Sequence, residues 1–110
     1  MKVAIIGSRT VKNSKVVLKK ILEELPEECT EIVSGGAPGV DKLAEEFARS
    51  KNLKLTIISN DDAFIKSRMI SEYADSLIAF WDCSSKGTAG IISSCTRHSK
   101  PVKIITINKH

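Results

Sequence analysis

The feature that most constrains the fold is an alternation of two kinds of segment. Short runs rich in Val, Ile and Leu are separated by longer stretches whose apolar residues recur at helical spacing. The run "KVAIIG" is apolar from Val3 onward and closes on Gly7, the pattern of a strand buried on both faces. "EIVSGG", "LKLTIIS", "DSLIAFW" and "PVKIITI" repeat it along the chain.

Helical patterns fill the intervals. From Ser14 to Leu25 the apolar stripe is Leu18, Ile21, Leu22 and Leu25, and Pro26 ends it. Val40, Leu43, Ala44, Phe47 and Ala48 mark the inner face of a second helix, with Pro38 expected in its first turn. A third helix is predicted over 62–73, capped by Asn60, Asp61 or Asp62. "GTAGIISSCTRH" predicts a fourth, with Thr88, Ile91, Ile92 and Cys95 facing inward.

Strands alternating with helices argue for a parallel sheet covered on both faces. Right-handed crossovers restrict its topology. The expected fold is α/β: a three-layer Rossmann-like sandwich around a five-stranded parallel sheet, in the order 3-2-1-4-5. The 110 residues suit a single domain over 1–110, with no linker or internal repeat. Only 5% of residues are aromatic, so the core must be mainly aliphatic. The terminal "NKH" reads as a frayed tail.

Several function classes recede. No apolar run approaches the roughly 20 residues that span a bilayer. Gly7 and Arg9 interrupt the opening run, which fits a first strand rather than a signal peptide, so a cytoplasmic location without a membrane partner is expected. Cys29, Cys83 and Cys95 form no C-x-x-C pair and have no metal-ligand spacing to His98 or His110. No metal and no cofactor are expected, and the thiols should be reduced. The net charge of +4 argues only weakly for a polyanion. Lys12, Lys15, Lys19 and Lys20 fit a solvated helix face.

In a sheet of this order, ligands bind beyond the carboxyl ends of the strands, near the switch in strand order. The loops trailing the central strands are "GSRT", "SGGAPGVD" and "WDCSSKGT". They should converge on one cleft. The glycines of the second loop (Gly35, Gly36, Gly39, after Ser34) allow a phosphate to approach backbone N–H groups at a helix start. A plain tight turn explains the same glycines, since the loop is neither G-x-G-x-x-G nor a Walker A sequence. Asp41 can favour its helix N-terminus, or hydrogen-bond a ribose or a loop backbone. Gly7, Ser8 and Arg9 offer a hydroxyl donor and a bidentate cation, although a surface arginine on a loop carbonyl is the plainer role for Arg9. Gly87 and Thr88 open the fourth helix, as a cap or as a second anion site. Trp81 can stack a base or shield the end of the sheet, with packing preferred. Asp82 can meet a ribose or a water. Lys66 and Arg68 can reach over the cleft, or lie on a solvated helix face.

Taken in order, "IIGSR", "IVSGGAPGVDKLAEEFA", "EYADSLIAFWD" and "SKGT" resemble the SLOG superfamily, in particular its stand-alone YspA-like branch of bacterial and phage proteins. The resemblance covers nearly the whole chain. It implies a Rossmann-like fold and a nucleotide-derived ligand, sensed or processed. Two relatives sharpen this. DNA-processing protein A has a similar start and glycine-rich loop and binds single-stranded DNA. The LOG-type phosphoribohydrolases carry P-G-G-x-G-T-x-x-E in the later loop. Here Ile91 stands three residues past the Gly-Thr, where their catalytic glutamate would be, and the Pro-Gly-Gly is missing. Close relatives often have Arg-Asn where this chain has Lys66-Ser67, which keeps the charge but loses bidentate geometry.

The favoured expectation is a domain that binds a nucleotide or nucleotide-derived phosphorylated ligand. One alternative is a hydrolase of a nucleotide N-glycosidic bond, with Asp82 or Asp41 replacing the glutamate. The other is single-stranded nucleic-acid binding, for which the few aromatics are a poor stacking platform. A homodimer fits a small sheet domain.

Overall fold

In the computed structural model, residues 1–108 are described. Five strands and four helices alternate: β1 (Lys2–Gly7), α1 (Ser14–Glu24), β2 (Glu31–Ser34), α2 (Val40–Ser50), β3 (Lys54–Ile57), α3 (Ala63–Tyr73), β4 (Ser76–Trp81), α4 (Lys86–Arg97) and β5 (Val102–Thr106). All strand pairs are parallel, and the order is β3-β2-β1-β4-β5. The expected α/β sandwich and its strand order are what the chain forms.

The pleat divides the core. Val3 and Ile5 of β1 point to one face and pack with Val17 and Ile21 of α1 and Ala44 and Phe47 of α2. Ala4 and Ile6 point to the other, against Ile70 of α3 and Ile91 and Cys95 of α4. Both faces of β1 are therefore dry, as its unbroken apolar run required. Burying side chains of the size of Ile5 or Ile21 stabilises the fold by about 1.5–3 kcal/mol each.

Four local expectations change. Strands β3 and β5 form the two edges of the sheet and are largely half-buried or exposed, so an apolar run there does not mean a strand covered on both faces. On α1 the stripe is rotated: Val17 and Ile21 are buried, whereas Leu22 is 59% exposed. Pro38 lies in the turn before α2, whose N-cap is Gly39. Asn108 is pinned rather than frayed. Its Oδ1 accepts the N–H of Lys12 at 3.0 Å, and its Nδ2 donates to the carbonyl of Thr10 at 2.7 Å. Residues 109 and 110 lie outside the described residues, His110 included.

Local chemistry fixes the helix starts. Asn13 Oδ1 accepts the N–H of Val16 ahead of α1, and Asp62 Oδ1 accepts those of Phe64 and Ile65 ahead of α3. Ser85 caps α4, leaving Thr88 inside its first turn. Helix α2 has no side-chain cap. No helix among the described residues is long and apolar enough to cross a membrane.

Candidate functional site

Because the sheet is parallel, the trailing ends of its strands and the starts of α2, α3 and α4 share one edge. A cleft of about 180 Å³ opens there, bounded by the end of β1 and the starts of α2, α3 and α4. Gly7 and Arg9 line it from the first loop, Ala37 and Asp41 from the second. Asn60, Asp61, Lys66 and Ser67 contribute from the start of α3. Ser85, Gly87, Thr88 and Ile91 close it from α4. The three loops singled out in the sequence do meet, together with the loop ahead of α3.

Asp41 holds the floor. It is almost wholly buried, and Oδ1 accepts the N–H of Gly7 at 3.1 Å while Oδ2 accepts that of Ala37 at 3.3 Å. One carboxylate thus staples the first loop to the second. Burial pushes its pKa up to about 6. The N–H groups of Ala37 and Gly7 and the nearby Lys66 oppose that rise, and Glu45 adds to it.

The glycines allow this approach of loop to loop. Gly39 sits at φ +83°, and a Cβ on it would stand 2.3 Å from the carbonyl oxygen of Ser8. A Cβ on Gly35 would stand 2.6 Å from Asp41 Oδ2 and 2.9 Å from Lys66 Cε. The lysine therefore lies across bare backbone. Gly87 faces open space, with nothing within 4 Å of the place a Cβ would take.

Two cations line the cleft outside any salt bridge, Lys66 beside the buried carboxylate of Asp41. Arg9 is exposed and Lys66 half-buried, and neither forms a salt bridge among the described residues. An anion entering between them would meet both charges and the starts of three helices.

The scan against family models matches the description "DNA recombination-mediator protein A" over residues 1–103. The chain belongs to this family. Among solved structures, DNA processing protein A from Helicobacter pylori matches with a TM-score of 0.73 and 24% identity, over 94% of this chain and 64% of that one. That structure is described as giving insight into a single-stranded DNA binding mode. The likeness shows a common fold, and this chain spans about 64% of the length of that protein. No curated protein matches.

Membership in the DNA recombination-mediator protein A family agrees with the SLOG-type motifs, and the structure sorts the residues that carry them. Gly7, Arg9, Asp41, Lys66, Gly87 and Thr88 line the cleft. Gly35, Gly36 and Gly39 shape the loop beneath. The remainder are occupied elsewhere. Ser8 is fully buried, and its Oγ accepts the N–H of Asp82 at 3.0 Å, clasping the loop after β4. Ser34 is fully buried, donates to Glu45 Oε2 at 2.7 Å and accepts the N–H of Gly36 at 3.0 Å. Asp82 Oδ1 accepts the N–H groups of Ser84 and Ser85, both at 2.9 Å, and those bonds hold its carboxyl below the usual range. Trp81 donates Nε1–H to the carbonyl of Ser85 at 3.0 Å, so it packs the loop. Arg68 pairs with Glu72 at 2.9 Å on the outer face of α3.

Sequence reasoning missed Asn60, Asp61 and Ser67 as lining residues, and gave Ser85 no role. Asn60 to Asp62 were legible only as a helix cap. Their place at the sheet's carboxyl edge follows from β3 neighbouring β2, and that signal was available in the strand order. Ile91, which stands where the LOG-type glutamate would be, does line the cleft, as an apolar wall.

Proposed function

We propose that this chain binds single-stranded DNA by seating a nucleotide phosphate in the cleft at the carboxyl edge of its sheet. One observation carries the reading: Arg9 and Lys66 both line the cleft and neither forms a salt bridge among the described residues, although the carboxylates of Asp41 and Asp61 line it too. Arg9 takes phosphate oxygens with its planar fork, and Lys66 supplies a point charge. The backbone at Gly87 lies open for close approach. Family membership and the fold shared with the Helicobacter pylori protein support DNA as the polymer that carries the phosphate.

A free nucleotide is the second reading. The lone tryptophan, spent on packing, favours it, because the cleft has no aromatic base platform of its own. Hydrolysis of an N-glycosidic bond has less support. It needs a carboxylate free to act, and both Asp41 and Asp82 are committed to backbone N–H groups.

Fluorescence polarisation with a labelled thymidine dinucleotide and thermal shift with dTMP test the cleft. Lys66→Ala and Arg9→Ala should each weaken the dinucleotide about tenfold, a charge-assisted contact being worth about 1.5 kcal/mol. Each should also lower the slope of log K against log salt by about 0.7. Unchanged affinity and slope in both variants would refute the assignment. Stabilisation by dTMP equal to that by the dinucleotide would favour the free nucleotide.

A further inference from the structure

A second surface adjoins the cleft. Between α3 and α4 runs a shallow groove whose floor is made of small residues: Ser67, Gly87, Gly90 and Ser93. A Cβ on Gly90 would meet only Ser67 Oγ, at 3.4 Å. Ala63, Ser67 and Gly87 line both this groove and the cleft, so the two are continuous.

Phe64 stands over the groove. It is 68% exposed, and no other large hydrophobic side chain among the described residues is more so. The other aromatics are committed. Phe47 and Phe80 are buried in the core. Tyr73 donates to Glu31 and carries Lys2 over its ring, while Trp81 donates to Ser85. Phe64 is the one exposed ring among the five aromatic side chains. It also lines the next depression along the same helix pair, with Arg68, Arg97 and His98.

The charged side chains that line the groove itself are both basic, while Asp62, just ahead of α3, accepts the N–H of Phe64 at 2.9 Å. Lys86 and Arg97 line the groove, are exposed, and form no salt bridge among the described residues. The acid in the neighbouring depression, Glu72, is neutralised by Arg68 at 2.9 Å. Lys86 and Arg97 stand at the two ends of α4, about 16 Å apart along its axis, enough for a few nucleotides of strand.

We propose that this groove is a track for single-stranded DNA leaving the cleft, with one base stacked on Phe64 and flanking phosphates held by Lys86 and Arg97. The proposal rests on the reading of the cleft for the class of ligand, and adds a second site with its own chemistry. Stacking on Phe64 is sequence-tolerant, because every base has a π-face, so the track fixes the path of the strand without reading its sequence. It also supplies the aromatic contact that the cleft lacks.

Polarisation with a labelled thymidine octamer beside the dinucleotide separates the two sites. Wild-type protein should bind the octamer more tightly. Phe64→Ala should weaken the octamer about tenfold, the typical loss of one stacked base, and leave the dinucleotide unchanged. Lys86→Ala with Arg97→Ala should lower the octamer's salt slope by about 1.4, again sparing the dinucleotide. All three positions are exposed, so thermal unfolding should confirm that the variants fold. An octamer bound no more tightly than the dinucleotide overturns the proposal. So does octamer affinity that survives all three substitutions, or a Phe64→Ala variant that alters only the oligomeric state. Loss of dinucleotide binding in none of the cleft variants, with octamer binding still sensitive to Phe64, would sink the cleft reading instead.

Discussion

Asp41 makes the stability of this fold depend on pH in a direction opposite to that of most acids. The carboxyl is 2% exposed, and burial pushes its pKa from 3.8 to about 6. In the unfolded chain it returns to the ordinary value. Between the two values the native state binds more protons than the unfolded state, so unfolding free energy falls as pH rises. The contribution is fully present below about pH 3.8 and is lost as pH climbs through about 6. A gap of about two pH units at about 1.4 kcal/mol each is worth about 3 kcal/mol. Asp75 and Asp82 run the other way: their lowered pKa values give stability above the unfolded pKa that is lost on acidification. The informative quantity is therefore a difference between proteins. In Asp41→Asn the amide oxygen still accepts from Gly7, while the amide nitrogen faces the N–H of Ala37 and loses that bond, at a pH-independent cost of about 1 kcal/mol. Urea unfolding of both proteins at about pH 4 and about pH 7.5 measures the effect. The stability advantage of wild type over Asp41→Asn should shrink by about 2.4 kcal/mol between the two, because the unfolded carboxyl is already partly ionised at about pH 4. A difference that stays constant within about 0.5 kcal/mol would refute the account of a buried carboxyl held partly protonated.

Other substitutions probe single contacts. Gly39→Ala should cost about 3 kcal/mol or prevent folding, because its Cβ meets the backbone of Ser8 and Arg9 at a φ that side chains avoid; thermal unfolding reads it. Gly87→Ala meets no atom and should raise the melting temperature by the equivalent of about 0.5 kcal/mol, while weakening any ligand that touches that backbone in the polarisation assay. On α1, Ile21→Ala should cost about 2–5 kcal/mol and Leu22→Ala less than about 0.5 kcal/mol in urea unfolding, which would fix the face the helix turns inward.

The architecture was legible because it rests on periodicity. A run such as Val3 to Ile6 can be dry on both sides only in the middle of a parallel sheet, and the crossover rule then leaves few strand orders. Periodicity says nothing about where the sheet stops. Strands β3 and β5 still read as apolar segments, although Thr56 and Lys103 interrupt them where the run of β1 is unbroken, and each has one neighbour and is largely half-buried or exposed. The stripe of α1 slipped for a related reason. Val17 and Leu22 flank Ile21 on opposite sides of the helical wheel, about 40° and about 100° away, and which side is buried depends on how the helix lies across β1.

Polar residues were harder, for a physical reason. A loop that joins a buried strand to a helix carries backbone N–H groups and carbonyls that must be paired, and nearby short polar side chains are the partners at hand. Ser8, Ser34, Asp41 and Asp82 stand at ligand-bearing edges in the sequence, but each is taken up by a backbone group or a buried carboxylate. Long cations behave differently. Arginine and lysine donate but cannot accept, so they satisfy no loop N–H, and their reach carries the charge beyond the loop. Among the candidates that line this cleft, Arg9 and Lys66 are the charged side chains that take up no loop N–H and form no salt bridge among the described residues. In a switch-point cleft of this kind, the short polar residues build the cradle, and the long cations left unpaired are the ones that meet the ligand.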